Sequence, residues 1–431
     1  MNPSDYNSKA RFSRRRFLQG AAASSVLWPT ILRHHTAFAQ GNEKPSNRIA
    51  IGCIGIGRQG GGHLGALISR KDVQVVGLCD VDSRHLSDAK ARVEKAYESE
   101  GVYTTGEFRE LAARPDIDAV MVGTPDHWHV LASLACVRNG KDVYVEKPLS
   151  LTIAEGRILS DETARYGRVL QVGSQQRSSF QFRRACELVR NGRIGKIKTV
   201  RVGLPSGRAM NPVAAQPIPP ELDYDMWLGP APYKPYFPER VHYHFRWILD
   251  YSGGQTTNFG AHDLDIVQWG LNRDDSGPVE VEGQGEFAPD GPYTTPVKVN
   301  FRAKYQDGVE VLVETGPSGV RFEGEGGWIS VNRSGWQTEP ATLKSSVLGA
   351  DEIHLYESRD HWGNFLDCVR TRQQPICTAE IGHRTATFCH LANIAMLLNR
   401  KVQWNPQTEQ VVGDDEAARL TARAMRAPWT L

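Results

Sequence analysis

Long apolar runs are missing from this 431-residue chain. No stretch approaches the ~18 uninterrupted apolar residues of a membrane-spanning helix, so stable insertion by that route is not expected. An excess of either charge is missing too. With 51 Lys and Arg against 49 Asp and Glu the formal charge is +2, and no nucleic-acid-binding surface over the whole protein is expected. The seven cysteines, at 53, 79, 136, 186, 368, 377 and 389, form no C-x-x-C pair, and their odd number signals neither a zinc ribbon nor a complete disulfide framework. Most lie in apolar contexts such as Ile51-Gly52-Cys53-Ile54 and read as small buried hydrophobes. Glycine (41) and proline (24) are too sparse for a collagenous or low-complexity chain. What remains is an ordinary globular composition, long enough for two or three domains.

The charge is unevenly spread. Residues 1–39 hold Lys9, Arg11, Arg14, Arg15, Arg16 and Arg33 against Asp5 alone. Ser13-Arg14-Arg15-Arg16-Phe17-Leu18 precedes a mildly apolar stretch through Trp28, and Ala37-Phe38-Ala39 is a small-x-small cleavage signal. That order reads as an export signal of the twin-arginine type, implying the twin-arginine translocation machinery as a partner and a periplasmic destination. A polar linker follows over 40–47, and the mature chain is slightly acidic.

Arg48–Ile56 is an apolar, β-branched run suited to a buried parallel strand, and it leads into Gly55-Ile56-Gly57-Arg58-Gln59-Gly60. In this G-x-G-x-x-G, Gly55 would make the tight turn and Gly57 would let a pyrophosphate approach the backbone. Gly60 would let the next helix pack on the strand, and the N-terminal amides of that helix would receive phosphates. A second strand, Val73–Cys79, ends at Asp80, where a carboxylate can accept both ribose hydroxyls of NAD and repel a 2′-phosphate. NAD is therefore expected, with NADP the alternative because Arg84 follows. Further expected elements are helices over 84–98, 105–113, 129–139 and 153–166 and strands over 117–123, 142–146 and 169–172. Repeated βα units predict a doubly wound parallel Rossmann sheet over 48–173.

The strand ends carry motifs: Thr124-Pro125-Asp126-His127-Trp128-His129, then Glu146-Lys147-Pro148, Gly173-Ser174-Gln175-Gln176-Arg177, Trp227-Leu228-Gly229-Pro230, and the run Gly253–Asp265. Together they resemble the Gfo/Idh/MocA oxidoreductases, of the glucose–fructose oxidoreductase and inositol dehydrogenase type. The resemblance implies cofactor contacts from the glycine loop, Thr124, Pro125, Asp126, His129, Glu146 and Gln175 or Gln176 (Gln176 preferred). It puts Lys147 between nicotinamide and substrate, and His262 as a second acid/base. Arg177, Asn258 and His262 then face the substrate. Independently, a lysine at the C-terminal edge of a parallel sheet lies where such folds bind ligands, and burial lowers its pKa toward a useful range. Two positions depart from the family pattern. Asp126 replaces the usual Asn, and Asn258 replaces the usual Asp four residues before His262, leaving His262 unaided or helped by Asp263 or Asp265. His127 has no matched role and is read as a surface residue.

Beyond residue 173 the period changes. Residues 198–203, 279–287, 297–305, 309–314 and 320–331 alternate apolar and polar, predicting an α+β domain over 174–431 with an open, mainly antiparallel sheet that also joins copies into a homo-oligomer. Residues 204–250 form a proline- and aromatic-rich insert ending in His242-Tyr243-His244-Phe245-Arg246-Trp247. It reads equally as a self-packed loop or as a site wall in which Tyr243 and Arg246 suit a sugar or polyol. His242-x-His244 lacks a third ligand, so no metal is expected.

Three functions compete. The leading one is an NAD-dependent oxidoreductase acting on a secondary hydroxyl of a sugar or polyol. The second is a redox-neutral NAD-dependent glycosidase that oxidises, eliminates, hydrates and re-reduces its substrate. The third is a non-catalytic sugar-binding relative.

Overall fold

The computed structural model describes residues 47–431; the expected export signal and nearly all of the expected linker lie outside the described residues. The first half alternates as expected: β1 (Ile49–Ile54), α1 (Arg58–Ile68), β2 (Val73–Cys79), α2 (Ser83–Tyr97), β3 (Tyr103–Thr105), α3 (Phe108–Ala113), β4 (Ala119–Val122), α4 (Asp126–Arg138), β5 (Asp142–Val145), α5 (Ile153–Arg165) and β6 (Leu170–Val172). The six strands pair in the order β3-β2-β1-β4-β5-β6, every pair parallel. The order reverses direction at β1, and the crevice between the ends of β1 and β4 is the ligand position of doubly wound sheets.

Two local expectations need correction. The helix expected over 105–113 begins only at Phe108, preceded by the short strand β3, which was not expected. α4 starts at Asp126 rather than His129, because Pro125 is preset for a helix entry and Asp126 suits the positive helix end.

The second half runs α6 (Phe180–Arg190), β7 (Ile197–Leu204), α7 (Tyr224–Leu228), α8 (Gln255–Asn258), α9 (Gly260–Leu271), β8 (Glu280–Glu286), β9 (Lys298–Lys304), β10 (Glu310–Thr315), β11 (Gly319–Gly324), β12 (Gly327–Asn332), β13 (Gly335–Glu339), α10 (His361–Thr371), α11 (Ala379–Leu398), β14 (Val402–Asn405), β15 (Gln410–Val411) and α12 (Asp415–Arg419). Its nine strands form a sheet in the order β13-β12-β11-β7-β10-β9-β8-β14-β15, antiparallel except for β7 beside β10. The run expected as one strand over 320–331 is a hairpin. Its buried residues switch parity, from Val320 and Phe322 to Ile329 and Val331, across the turn at Gly324–Gly327. One sheet face packs on α6, α9 and α11 through Val200, Phe301, Phe322, Leu264, Phe388 and Leu391. The other is laced with cross-strand pairs such as Arg302 with Glu310 and Arg201 with Glu323. The insert is both things the sequence left open. Tyr224, Trp227, Tyr236, Phe237, Trp247 and Tyr251 form their own core, while its last residues reach the crevice.

Candidate active site

The crevice opens into a cavity of about 530 Å³, within the ~300–1,000 Å³ of small-molecule sites. Its wall combines Gly55, Gly57, Arg58, Gln59, Asp80, Thr124, Pro125, Asp126, His129, Glu146 and Lys147 from the parallel sheet with Tyr243, Arg246, Asn258 and His262 from the second half. Nearly every residue singled out in the sequence therefore meets here.

The glycine loop fits a dinucleotide. Gly55 sits at φ +75° with Thr124 against it, and a Cβ on Gly60 would lie 1.8 Å from the Gly55 carbonyl oxygen. The first turn of α1 has neither an acidic residue nor a side-chain cap, so its amides are free for an anion. Asp80 is aimed by two backbone donors, Ile56 N–H at 2.8 Å and Asp82 N–H at 2.9 Å, one on each oxygen. Each oxygen keeps a lone pair for a ribose hydroxyl. The Thr124 hydroxyl is buried in the wall with no partner, as a group awaiting a ligand would be.

At the other end Lys147 leaves the tip of β5 and donates from Nζ to Asn258 Oδ1 at 2.9 Å. Burial pulls its pKa down, and the charges of Glu146 and Asp126 only partly oppose this. His262, on α9 one turn beyond Asn258, is buried, and burial together with Lys147 and Arg333 holds its ring neutral. Its Nδ1 has no partner. An amine with a lowered pKa and a neutral imidazole thus share one wall, ready to hold or pass a proton.

Glu146 stays ionised. Burial opposes the charge, but the His63 hydrogen bond at 2.7 Å and the Lys147 charge outweigh it and hold the pKa below the carboxylate range. Trp362 Nε1–H donates to His63 Nδ1 at 3.2 Å, which fixes the His63 proton on Nε2, facing Glu146. Gln175 donates to the same carboxylate at 3.1 Å. His63 was missed in the sequence. Its only local signal is its place one turn after Gln59, and Trp362 lies nearly three hundred residues away.

Asp126 accepts from Ser252 Oγ at 2.6 Å, and burial raises its pKa. His129 lines the cavity with its ring nitrogens against the carbonyls of Thr124 (2.9 Å) and Pro148 (2.6 Å), bracing two strand ends.

Three residues do not behave as expected. Gln176 is buried away from the cavity with its amide toward Asp263 at 3.4 Å; Gln175 is the one that lines the site. Arg177 is not a substrate contact. Only 1% exposed, it forks onto Asp265 at 2.7 and 2.8 Å and onto Asp274 at 2.7 and 3.2 Å. Asp265 is consumed by that pair and Asp263 by Ser318 and Gln176, so neither hydrogen-bonds His262. His127 is not on the surface. It is buried against Trp227 and Tyr251 with Nε2 on the Trp227 carbonyl, and burial pushes its pKa down to about 3.

Comparison with known proteins agrees with this geometry. Residues 49–174 match the model of an oxidoreductase family's NAD-binding Rossmann fold, and residues 206–431 match the same family's C-terminal alpha/beta domain. The chain belongs to the Gfo/Idh/MocA oxidoreductase family. It is 33% identical over 176 residues to myo-inositol 2-dehydrogenase of Thermotoga maritima, covering 40% of this chain and 47% of the relative. It is 30% identical over 161 residues to a glycosyl hydrolase family 109 protein of Shewanella putrefaciens, covering 33% and 35%. The chain thus spans less than half the length of these curated relatives. Aldose-aldose oxidoreductase from Caulobacter crescentus, solved with glycerol, shares the fold at a TM-score of 0.62 and 18% identity, over 83% of this chain and 99% of that one. As a Gfo/Idh/MocA protein, the chain carries its NAD-binding domain first and its mixed-sheet domain second.

Proposed function

We propose that this Gfo/Idh/MocA protein is an NAD-dependent oxidoreductase acting on a secondary hydroxyl of a sugar or polyol. The observation that carries this reading is the meeting of Lys147 and His262 in one wall, both with pKa values pulled down, beside a glycine loop built for a dinucleotide. Bound NAD would supply the hydride acceptor. The amides of α1 and Arg58 would hold the pyrophosphate, Asp80 the adenosine ribose, and Thr124 and Gln175 the strand-end side of the cofactor. Asn258 orients the Lys147 amine by accepting one of its hydrogens. Lys147 or His262 takes the hydroxyl proton as the carbinol C–H leaves as hydride, so a ketone forms and the proton stays on the protein. Glu146, fixed by His63 and Gln175, keeps a negative charge close by for the protonated amine.

Similarity to the family 109 glycosyl hydrolase favours a second reading, in which the same residues oxidise the sugar transiently and re-reduce it after elimination and hydration. The twin-arginine-like leader supports export, and an exported protein would keep its nucleotide bound between turnovers. The polar, ion-paired sheet face is the proposed homo-oligomer contact. One experiment separates the readings: purified protein is assayed for bound nucleotide by mass and absorbance, then given sugars, polyols and aryl glycosides. Stoichiometric NADH supports the dehydrogenase, and aglycone release without NADH supports the glycosidase. Protein that binds no nucleotide overturns both.

A further inference from the structure

Charge in the cavity is not balanced where the substrate would lie. Three guanidinium groups line it, Arg58, Arg246 and Arg333, and among the described residues none forms an ion pair with a carboxylate. Arg58 and Arg246 stack on Tyr243 at 4.3 and 3.9 Å, beside the glycine loop. The phosphates of a dinucleotide would answer Arg58, in the glycine loop, whereas the Arg246 charge also acts on Asp126 and Lys147. Arg333 comes from elsewhere, the turn between β12 and β13, where Asn332 Oδ1 accepts from the backbone N–H groups of Ser334 (2.9 Å) and Gly335 (3.2 Å). It extends over the ring of Phe259 at 5.4 Å, between Asn258 and His262 in sequence.

The cavity's carboxylates cannot answer Arg333. Asp80 is at the ribose end, Asp126 holds Ser252, and Glu146 is held by His63, Gln175 and the Lys147 amide. Asp263, the nearest other acid on α9, points to Ser318 and Gln176. The side of the cavity that holds Lys147 and Arg333 therefore has cationic donors and no free carboxylate. A guanidinium fork matches carboxylate and phosphate oxygens in pairs, which a neutral hydroxyl does not do.

We infer that the substrate is an acidic sugar, bearing a carboxylate or a phosphate monoester that Arg333 receives while the reacting carbinol sits at Lys147. This rests on the oxidoreductase reading above and narrows its substrate class. Other elements fit it. Arg333 lines the cavity yet is exposed, so its side chain can fold onto an arriving anion without breaking any ion pair.

The test uses the full protein loaded with NADH, so that binding is read without turnover. Affinities are measured by calorimetry for glucose, galactose and mannose, for their three uronates, and for their 6-phosphates. At least one acid is expected to bind about tenfold or more tighter than its parent hexose, with the preference shrinking as salt rises. In Arg333→Gln that acid-to-hexose ratio falls about tenfold, and Arg333→Lys retains part of it. The uronate and phosphate arms identify the anion. Equal or weaker binding of all the acids, or an unchanged ratio in Arg333→Gln, overturns the inference. The parent reading is tested separately with NAD-loaded protein. Acid binding without any NADH formation would refute the oxidoreductase and leave the anion site standing; NADH from neutral hexoses alone would do the reverse.

Discussion

Replacing Asn258 by Asp puts a carboxylate oxygen where the amide oxygen now accepts from Lys147 Nζ at 2.9 Å. Two unit charges 4 Å apart interact by about 1 kcal/mol in water and about 4 kcal/mol at the effective dielectric near a protein surface. A tenfold change in an equilibrium constant is about 1.4 kcal/mol, so the Lys147 pKa should rise by about 1–3 once the cost of burying the new charge is included. The substitution also removes the Asn258 Nδ2 donor to Gln255 Oε1 at 3.1 Å, a loss of about 1 kcal/mol that leaves the fold intact. Alcohol oxidation needs the amine deprotonated. The native rate should therefore rise with pH through a Lys147 pKa below the ordinary 10.5. In Asn258→Asp this limb moves to higher pH. At a fixed pH on the limb, kcat/KM falls about tenfold for each pH unit the limb moves. The assay is NADH formation with the best sugar substrate from pH 6 to 10. An unmoved limb, or one displaced to lower pH, would refute a proton role for Lys147 tuned by residue 258.

Gly60→Ala should abolish nucleotide retention, since its Cβ would be driven into the Gly55 carbonyl; the absorbance of nucleotide released on denaturation checks this. Arg177→Met leaves Asp265 buried and unpaired, so stability should drop by about 3–5 kcal/mol in urea denaturation, with less folded protein but an unchanged substrate KM in what remains. Stability should also fall on acidification. His127 (about 3), His361 (about 4) and His390 (about 4) titrate below their ordinary range in the folded protein because they are buried. Below pH ~6.5 the unfolded chain takes up protons the folded one does not, so stability present above pH ~6.5 is lost as pH falls toward 4, by up to about 1.4 kcal/mol per pH unit and residue. Thermal melts at pH 7 and 5 read this, and equal Tm values would contradict it.

The legible parts of this protein are those whose physics is local in sequence. A strand followed by G-x-G-x-x-G needs only Gly55 at positive φ and Gly60 against a carbonyl, and both requirements lie within six residues. Lys147 was legible because a strand end fixes its direction. The errors at the site share one cause, a partner far along the chain. Arg177 looks like a pocket arginine until Asp265 and Asp274 claim it, and His127 looks exposed until Trp227 and Tyr251 cover it. His63 gains its meaning only from Glu146 and Trp362. The hairpin at 320–331 was readable in principle, since the parity of its buried residues changes at Gly324–Gly327.

Everything proposed about the chemistry passes through the Lys147 amine. The most direct measurement is single-turnover reduction of bound NAD in Lys147→Ala, with bound nucleotide quantified in the same sample so that loss of fold or cofactor is recognised. The expected result is normal nucleotide content and a reduction rate lower by roughly 10²–10⁴-fold. Normal nucleotide content with an undiminished rate would contradict the assignment of Lys147 to the reacting carbon.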